Sequence, residues 1–527
     1  MSFPSDDRPN DPGNENSSPP IDKFRMALIH GACGPPDRLL VRGQIADIPV
    51  TRTQKAEEWD PLLAVPLSQK TRLRPIQDMG LRGVRRARLQ IEIFRLTDPD
   101  DRPDRAQLQD APALFTSPEV IAESSGFFQT VLKTPLPAGS YYLRVILRGI
   151  DSVRQNLSDL TFFGSESMVP KKDIPIGFGP LRVLSPDYRG YYITSDIDQT
   201  FLDTRYATNS EMWNTLVEEA QDKAPLPGMA ELYRAVQQNE GGPLPLYFLS
   251  ASPHFFHRTL RMVFDKHDIP FTGLNLKRLM KTFDDAFRRA ARNFLDADAI
   301  FSQGFSRTLQ RSFKYLNSAV DGLFDQVAYK LSFLLENRLY QTTESREILI
   351  GDNSESDFFV FILYQYLLSG KMDEIDLENY LYRLKFLERE CLTRDAAHEI
   401  IRLTQENRAL HGDVNPARIA LINLARPEPR ANEMLALVNK ALPSGFELSG
   451  PRAEGIAAFQ VCGGALGIAL HLLELELLDL DALETVWRSM EGRNLQGETI
   501  GPAYLERTLS DVSPRGYSRA EIRARLT

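Results

Sequence analysis

Cysteine is scarce in this 527-residue chain. Its three cysteines are Cys33, Cys391 and Cys462, and no two of them form a C-x-x-C pair. Neither a disulfide framework nor a cysteine-based zinc site is therefore indicated, and a reducing compartment is expected.

A surplus of basic residues is also lacking. The chain has 62 Lys and Arg against 71 Asp and Glu, which gives a formal net charge of -9. Because nucleic-acid-binding proteins normally carry a basic excess, no nucleic-acid partner is expected.

The start of the chain lacks the features of a secretory signal. Residues 1–21 are polar and contain no apolar stretch, so we expect a cytoplasmic location. One uncharged run, residues 455–473, is long enough to raise a membrane-spanning alternative. Gln460 and His471 interrupt it and an acidic amphipathic stretch follows, so we interpret it as buried core.

Composition and pattern predict a disordered leader and then a β domain. Residues 1–36 have few aromatic or β-branched side chains and offer little apolar area for folding. From residue 37 the pattern alternates, with Leu89, Ile91 and Ile93 facing one way, which is typical of half-buried strands. Similar segments occur at 38–45, 127–132 and 141–147. We therefore predict an antiparallel β-sandwich over 37–180.

The remaining chain predicts two further domains. After a linker rich in Pro and Gly, apolar strands alternate with helical patterns over 185–372, which favours an α/β Rossmann-like domain with a parallel sheet. A helical insertion is expected at about 275–328, because Ser250 and Lys330 are further apart than a crossover helix requires. Residues 373–527 read as an all-α C-terminal domain.

The strongest chemical signal is a D-x-D-x-T motif at the end of an apolar strand. It contains Asp196, Asp198 and Thr200. Carboxylates at positions i and i+2 of an extended chain project to the same side, where they can share a ligand. Standing alone, the motif could also be a solvated acidic turn.

Two more predicted strands end in polar groups. One delivers Ser250, and the other delivers Asp352, with Asp357 following. Because ligands of open α/β sheets bind beyond the carboxyl ends of the strands, these side chains should converge. Lys330, at the start of a predicted helix, could aim its ammonium at the same place, although it could also be an ordinary surface lysine.

These residue types suit phosphoryl transfer. A carboxylate can attack phosphorus and form an aspartyl-phosphate, and a second carboxylate can serve as general acid and then as base. A hydroxyl and an ammonium can hold the phosphoryl oxygens, while carboxylates can bind Mg²⁺.

The order of these motifs resembles the haloacid dehalogenase (HAD-like) superfamily of aspartate-nucleophile phosphatases. Within it, the chain is similar to the actin-patch type of Mg²⁺-dependent phosphatidate phosphatase. The segments that carry this resemblance are 195–200, 227–233, 250–253, 273–277, 329–330 and 350–353. Two positions depart from the family pattern, since Gln199 replaces a usual acidic residue and Tyr329 replaces a common histidine. The resemblance leaves the region after 372 unexplained.

The resemblance implies a role for each motif residue. Asp196 would be the nucleophile and a metal ligand, and Asp198 the acid/base whose main-chain carbonyl also meets the metal. Thr200 would tie the motif turn together by hydrogen bonding. The remaining roles are phosphate binding by Ser250 and Lys330, completion of the Mg²⁺ site by Asp352, and support of that site by Asp357.

The predicted insertion has a composition suited to a membrane surface. Residues 277–314 hold nine basic residues against four acidic ones, among phenylalanines at helical spacing. Such a helix can lie at a bilayer interface, with Arg288, Arg289 and Arg292 facing lipid headgroups. For the first helix of the insertion, packing against the sheet explains the apolar stripe equally well, and for the second helix packing is the favoured interpretation. His254 and His257 could contact substrate, but they are interpreted as helix-surface or satisfied histidines.

The sequence thus predicts a cytoplasmic Mg²⁺-dependent phosphatase, either free or peripheral at membranes, that converts phosphatidate or a related phospholipid monoester. One alternative is a phosphatase of soluble phosphomonoesters or phosphoproteins. An alternative of another class is a non-catalytic binding or scaffold protein, which the intact set of motif residues disfavours.

Overall fold

A computed structural model provides the structure of the protein. It describes residues 22–50, 59–67, 72–78, 81–96, 103–150, 173–204, 215, 218–238, 242–278, 326–354, 356–386, 389–427, 429–448, 456, 459–512 and 514–527. Within these ranges, no helix is both long enough and apolar enough to cross a membrane.

Strands and helices alternate irregularly along the chain. The strands are β1 (Asp22–Gly34), β2 (Leu39–Val50), β3 (Trp59–Asp60), β4 (Val65–Pro66), β5 (Arg82–Gly83), β6 (Ala87–Phe94), β7 (Phe115–Thr116), β8 (Val120–Ile121), β9 (Phe127–Leu132), β10 (Gly139–Ile150), β11 (Ile174–Val183), β12 (Tyr191–Asp196), β13 (Leu246–Pro253), β14 (Gly273–Lys277), β15 (Arg346–Asp352), β16 (Lys385–Phe386), β17 (Arg389–Glu390), β18 (Ala417–Asn423), β19 (Phe459–Cys462), β20 (Asn494–Leu495) and β21 (Glu498–Thr499). The helices are α1 (Pro75–Asp78), α2 (Arg105–Asp110), α3 (Met229–Gln237), α4 (His257–Lys266), α5 (Gln326–Arg338), α6 (Asp357–Leu368), α7 (Glu374–Leu381), α8 (Arg394–His411), α9 (Ala431–Ala441), α10 (Ala465–Glu474), α11 (Leu480–Met490), α12 (Pro502–Asp511) and α13 (Arg519–Leu526).

One half of the large 15-stranded sheet is parallel and confirms the predicted α/β architecture. Its strand order is β19-β18-β15-β12-β13-β14. Alternate side chains serve opposite faces, because Ile348 and Ile350 pack into one hydrophobic cluster and Leu349 into another. Since the strand order reverses between β12 and β15, the ends of these two strands flank a switch point where ligands of doubly wound sheets bind.

The prediction of an all-α C-terminal domain is wrong. β18 pairs with β15, and β19 pairs with β18, both in parallel, so the sheet continues past residue 372. The run Ala417–Asn423 is short and mostly apolar, and such a run does not distinguish a strand from a helix by periodicity. Its parallel pairing with β15 and β19 makes it a strand.

The strands from β1 to β11 pair largely antiparallel, as predicted for the N-terminal domain. The alternation in β6 is confirmed, since Leu89, Ile91 and Ile93 are fully buried. The predicted leader is partly wrong, because Asp22–Gly34 forms β1 and pairs with β2 along its length. A single strand that depends on a neighbour for its hydrogen bonds has a weak local signal. Residues 1–21 lie outside the described ranges.

The predicted linker is also partly a strand. β11 spans Ile174–Val183 and pairs antiparallel with β10. Its glycines reflect close packing on β1, because a Cβ at Gly177 would lie 2.2 Å from the carbonyl oxygen of Ala27. The glycine signal, which suggested a linker, therefore marks a close approach of two backbones.

Two groups of N-terminal strands enclose one hydrophobic cluster, as expected of a sandwich. Residues from β1, β2 and β9 pack there with residues from β6, β10 and β11. The β domain and the parallel sheet are nevertheless continuous, because Gly31 of β1 pairs with Gly273 of β14. A Cβ at Gly31 would lie 3.0 Å from the Cα of Gly273, so the junction requires small residues.

The uncharged run near the C-terminus belongs to the core, as predicted, in its described part. β19 and α10 occupy Phe459–Cys462 and Ala465–Glu474, and their apolar side chains are buried in the hydrophobic clusters. The predicted insertion lies largely outside the described ranges. Residues 279–325, with Arg288, Arg289 and Arg292, are not among them, so their membrane-facing role stays a prediction.

Candidate active site

Polar side chains gather where the central strands end. β12 ends at Asp196, and β15 ends at Asp352. In the register of these strands, Asp196 lies opposite Leu249, the residue before Ser250. Because the carboxyl ends of parallel strands lie at the same edge of a sheet, the three predicted motifs lie together as expected.

Lys330 joins this group from α5. Its Nζ donates hydrogen bonds to Asp196 Oδ1 at 2.7 Å and to Asp357 Oδ1 at 2.5 Å. Lys330 is 1% exposed, so it is a buried ammonium held between two buried carboxylates and not a surface lysine. The prediction that Lys330 points toward the motif residues is confirmed.

Asp198 occupies a cage of hydroxyl groups. Oδ2 accepts hydrogen bonds from Ser250 Oγ at 2.7 Å and Ser252 Oγ at 2.9 Å, and Oδ1 accepts one from Thr204 Oγ1 at 2.9 Å. Ser250, predicted to bind phosphate, thus contacts Asp198 in this state. Three hydroxyls fix the orientation of the carboxylate and can either donate or accept hydrogen bonds.

Asp352 and Asp357 are coupled through the start of α6. Asp357 Oδ2 accepts the main-chain N–H of Asp352 at 3.2 Å, while Asp352 Oδ1 accepts the N–H of Ser354 at 2.5 Å. A Cβ at Gly351 would lie 2.5 Å from Asp357 Oδ2, so a glycine is required for this close packing. Carboxylate oxygens of Asp196, Asp352 and Asp357 lie within 4.8 Å of one another, and all three residues are buried.

The motif turn is held differently from the prediction for Thr200. Within the described ranges, the Thr200 hydroxyl is buried without a hydrogen-bond partner. Main-chain bonds hold the turn instead, including Phe201 N–H to the Ile197 carbonyl at 2.8 Å. Gln199 adopts a left-handed conformation with φ of 59°, which costs a non-glycine residue about 1–2 kcal/mol.

Several residues near the motifs were missed by sequence reasoning. Ser252 and Thr204 could have been predicted, because they lie close in sequence to Ser250 and Asp198, and hydroxyl groups beside catalytic motifs are candidate hydrogen-bond partners.

Tyr233 shares a 2.5 Å hydrogen bond with Ser195, and burial raises the pKa of its phenol, so it stays neutral. Asn423 donates a hydrogen bond from Nδ2 to the Gln199 carbonyl at 3.0 Å. Nothing in the sequence around Asn423 indicates this contact.

The two histidines after Ser250 lie beside the β domain. His257 packs against His30, with ring centroids 4.2 Å apart. Burial lowers the pKa of His257 well below its usual range, so the ring is neutral. It is a buried core histidine, which agrees with the interpretation of the sequence.

Comparison with known families identifies the catalytic region. Residues 191–299 match the family model described as phosphatidate phosphatase APP1, catalytic domain. The predicted resemblance is confirmed, and the chain carries the domain of a phosphoric monoester hydrolase of the phosphatidate phosphatase type. The matched range includes Asp196, Asp198 and Ser250 and ends before Lys330 and Asp352, which the fold brings to the same edge. A search of the curated proteins finds no match.

Proposed function

We propose that the protein is a Mg²⁺-dependent phosphatase that hydrolyses phosphatidate to diacylglycerol and inorganic phosphate through an aspartyl-phosphate. One observation carries the proposal: the family-matched strand end brings Asp196 within 2.7 Å of the buried Lys330 ammonium. A carboxylate beside a cation, at the switch point of a parallel sheet, is placed to act on a phosphate ester.

Asp196 serves as the nucleophile in this proposal. The adjacent ammonium favours its ionised form, which can attack phosphorus. A new bond forms between the Asp196 oxygen and phosphorus, and the bond from phosphorus to the substrate alcohol breaks. Lys330 and Ser250 hold phosphoryl oxygens and offset their developing charge.

Asp198 serves as the acid and then the base. It gives a proton to the departing alcohol, and later takes a proton from the water that attacks the aspartyl-phosphate and restores Asp196. The hydroxyls of Ser250, Ser252 and Thr204 support this role, because each can donate to the carboxylate or accept from the protonated acid.

The carboxylate set fits Mg²⁺. Asp196, Asp352 and Asp357 offer the hard oxygen ligands that this ion prefers, with Asp198 contributing its main-chain carbonyl as the resemblance implies. Asp196, Asp352 and Asp357 are all buried, and their three carboxylates would carry more negative charge than the ammonium of Lys330 balances, so a divalent cation would offset the difference. When bound, Mg²⁺ neutralises charge on the transferring phosphoryl group.

The family match supports a phospholipid substrate. A cavity of about 520 Å³ lies beside Tyr329, and Asn275, Lys277 and Arg278 line part of it. Its lining is mixed, because apolar residues such as Phe333 and acidic ones such as Glu336 stand beside these basic side chains. The acyl chains of phosphatidate would remain in a bilayer. We propose that the protein acts in the cytoplasm, peripherally at membranes, through the basic segment that begins at Lys277.

Phosphate release from phosphatidate in mixed micelles tests the proposal. With Mg²⁺ the parent protein should turn over, and Asp196→Asn should lose roughly a thousandfold or more. Asp203→Asn is the matched control, since Asp203 is an exposed aspartate of the same segment, and it should keep the parental rate. A parental rate for Asp196→Asn would refute the assignment of the nucleophile.

Substrate and metal are tested separately. A kcat/KM for glycerol 3-phosphate or a phosphoserine peptide equal to that for phosphatidate would favour the soluble-substrate alternative. No release from any of these substrates would favour a binding protein. Mg²⁺ should raise the thermal midpoint of the parent but not that of Asp352→Asn, and equal shifts in both would refute the metal assignment.

A further inference from the structure

The residue that follows the proposed acid/base has a conformation that needs external support. Gln199, next to Asp198, is left-handed with φ of 59°. Its N–H bonds to the Leu202 carbonyl at 2.9 Å, within the same turn. Non-glycine residues persist in this conformation when the surroundings hold them there.

Asn423 supplies a hydrogen bond to this turn from another strand. Its Nδ2 donates to the Gln199 carbonyl at 3.0 Å, and the residue is 2% exposed. Bonds inside the turn set its local shape, whereas a bond from β18 fixes the turn relative to the sheet. The position of Asp198 therefore depends in part on Asn423.

The backbone of Asn423 is itself well anchored. It lies opposite Asp352 in β15 and opposite Cys462 in β19. Its carbonyl also accepts the N–H of Asn353 at 3.1 Å. The same residue that supports the turn is therefore aligned with the Asp352 motif.

The segment after Asn423 is secured by the neighbouring motif. Asn353 Nδ2 donates to the carbonyls of Arg426 at 2.8 Å and Pro429 at 3.0 Å, and Asn353 Oδ1 accepts the Arg426 N–H at 3.0 Å. These bonds tie a loop beyond β18 to the residue that directly follows Asp352. Two asparagines thus connect β18 and its loop to both acidic motifs.

We infer that Asn423 is a positioning residue, which acts through the Gln199 carbonyl to hold Asp198 in place for proton transfer. The inference rests on the proposed function and extends the working site to β18, beyond the family-matched range. Proton donation matters most for a poor leaving group, so loss of Asn423 should harm alkyl phosphates more than aryl phosphates.

The experiment compares kcat/KM for phosphatidate and 4-nitrophenyl phosphate, because this constant covers departure of the leaving group. Asn423→Leu should lose about tenfold or more with phosphatidate and less than about threefold with the aryl ester. Asp198→Asn provides the reference for the same unequal loss. Asn423→Gln, which keeps an amide donor, should recover part of the phosphatidate activity.

Asn439→Leu is the matched control. Asn439 also bonds to main chain through its amide, at Leu448, and it lies on the helix α9. Its kcat/KM should match the parent on both substrates, with rates expressed per folded molecule from thermal unfolding. If Asn423→Leu does not fold, Asn423→Ser takes its place.

The outcomes separate the inference from the proposed function. A parent that releases no phosphate from either ester would overturn both. An active parent with equal losses on the two esters in Asn423→Leu, or with none, would overturn the role of Asn423 alone. With a parent active only on phosphatidate, a parental kcat/KM in the folded Asn423 variant would overturn the inference, and a tenfold loss absent from Asn439→Leu would support it.

Discussion

The buried ammonium of Lys330 should be a large contributor to stability as well as to chemistry. Its Nζ lies 2.7 Å from Asp196 Oδ1 and 2.5 Å from Asp357 Oδ1, and all three residues are at most 3% exposed. Lys330→Met keeps the length of the side chain but leaves both carboxylates without this cation. Removing one partner of a buried ion pair costs about 3–5 kcal/mol.

Unfolding in EDTA measures this cost. Since about 1 kcal/mol shifts the midpoint of a 150–250-residue domain by about 2–4 °C, Lys330→Met should lower the thermal midpoint by about 6–20 °C. Lys385→Met is the control, because Lys385 is exposed, and it should change the free energy of unfolding by no more than about 0.5 kcal/mol.

A double-mutant cycle tests whether Lys330 and Asp357 stabilise the protein as a pair. Asp357→Asn should destabilise the parent, since it removes a partner of Lys330. In the Lys330→Met background it should instead raise the free energy of unfolding, because it removes an uncompensated buried charge. Effects that add to within about 0.5 kcal/mol would show that the two side chains do not act as a pair, and would refute the argument.

Close packing at Gly351 and burial of Asp78 should each affect the stability of the protein. Gly351→Ala would bring a Cβ within 2.5 Å of Asp357 Oδ2, so it should lower stability by about 1–3 kcal/mol and sharply reduce phosphatase activity. Gly501→Ala, where nothing lies within 4 Å, should leave both unchanged, and equal effects of the two variants would contradict the packing argument. Burial raises the pKa of Asp78 from 3.8 to about 6, although the buried Arg258 guanidinium lies 2.7 Å away, so ionising Asp78 costs the folded state stability as pH rises. The free energy of unfolding should therefore fall as the pH rises from 4 to 7, and Asp78→Asn should remove this dependence in pH-dependent urea unfolding. An identical pH profile in the variant would contradict it.

The class of reaction could be predicted from the sequence because each motif lies within one short segment of the chain. Asp196 and Asp352 directly end apolar strands, and Ser250 lies near the end of β13. Because the carboxyl ends of parallel strands lie at the same edge of a sheet, the sequence predicted that these residues converge. Lys330 was predicted to join them from a helix, and its hydrogen bonds to Asp196 and Asp357 agree.

Other features depend on distant partners. β11 was taken for a linker because of its glycines, and only the backbone of β1 against Gly177 explains them. β18 was taken for helix, since a short apolar run gains its identity from pairing with β15. Nothing near Asn423 in the chain indicates that its amide meets Gln199.

Local order along the chain was thus sufficient to predict the class of reaction, and the family resemblance implied that Asp196 is the nucleophile and Asp198 the acid/base. The extent of the sheet, the join between Gly31 and Gly273, and the support from Asn423 arise only when the chain is folded. The physical reason is that strand pairing and buried hydrogen bonds join residues far apart in the chain. Their partners are chosen by burial and backbone geometry, which no single segment contains.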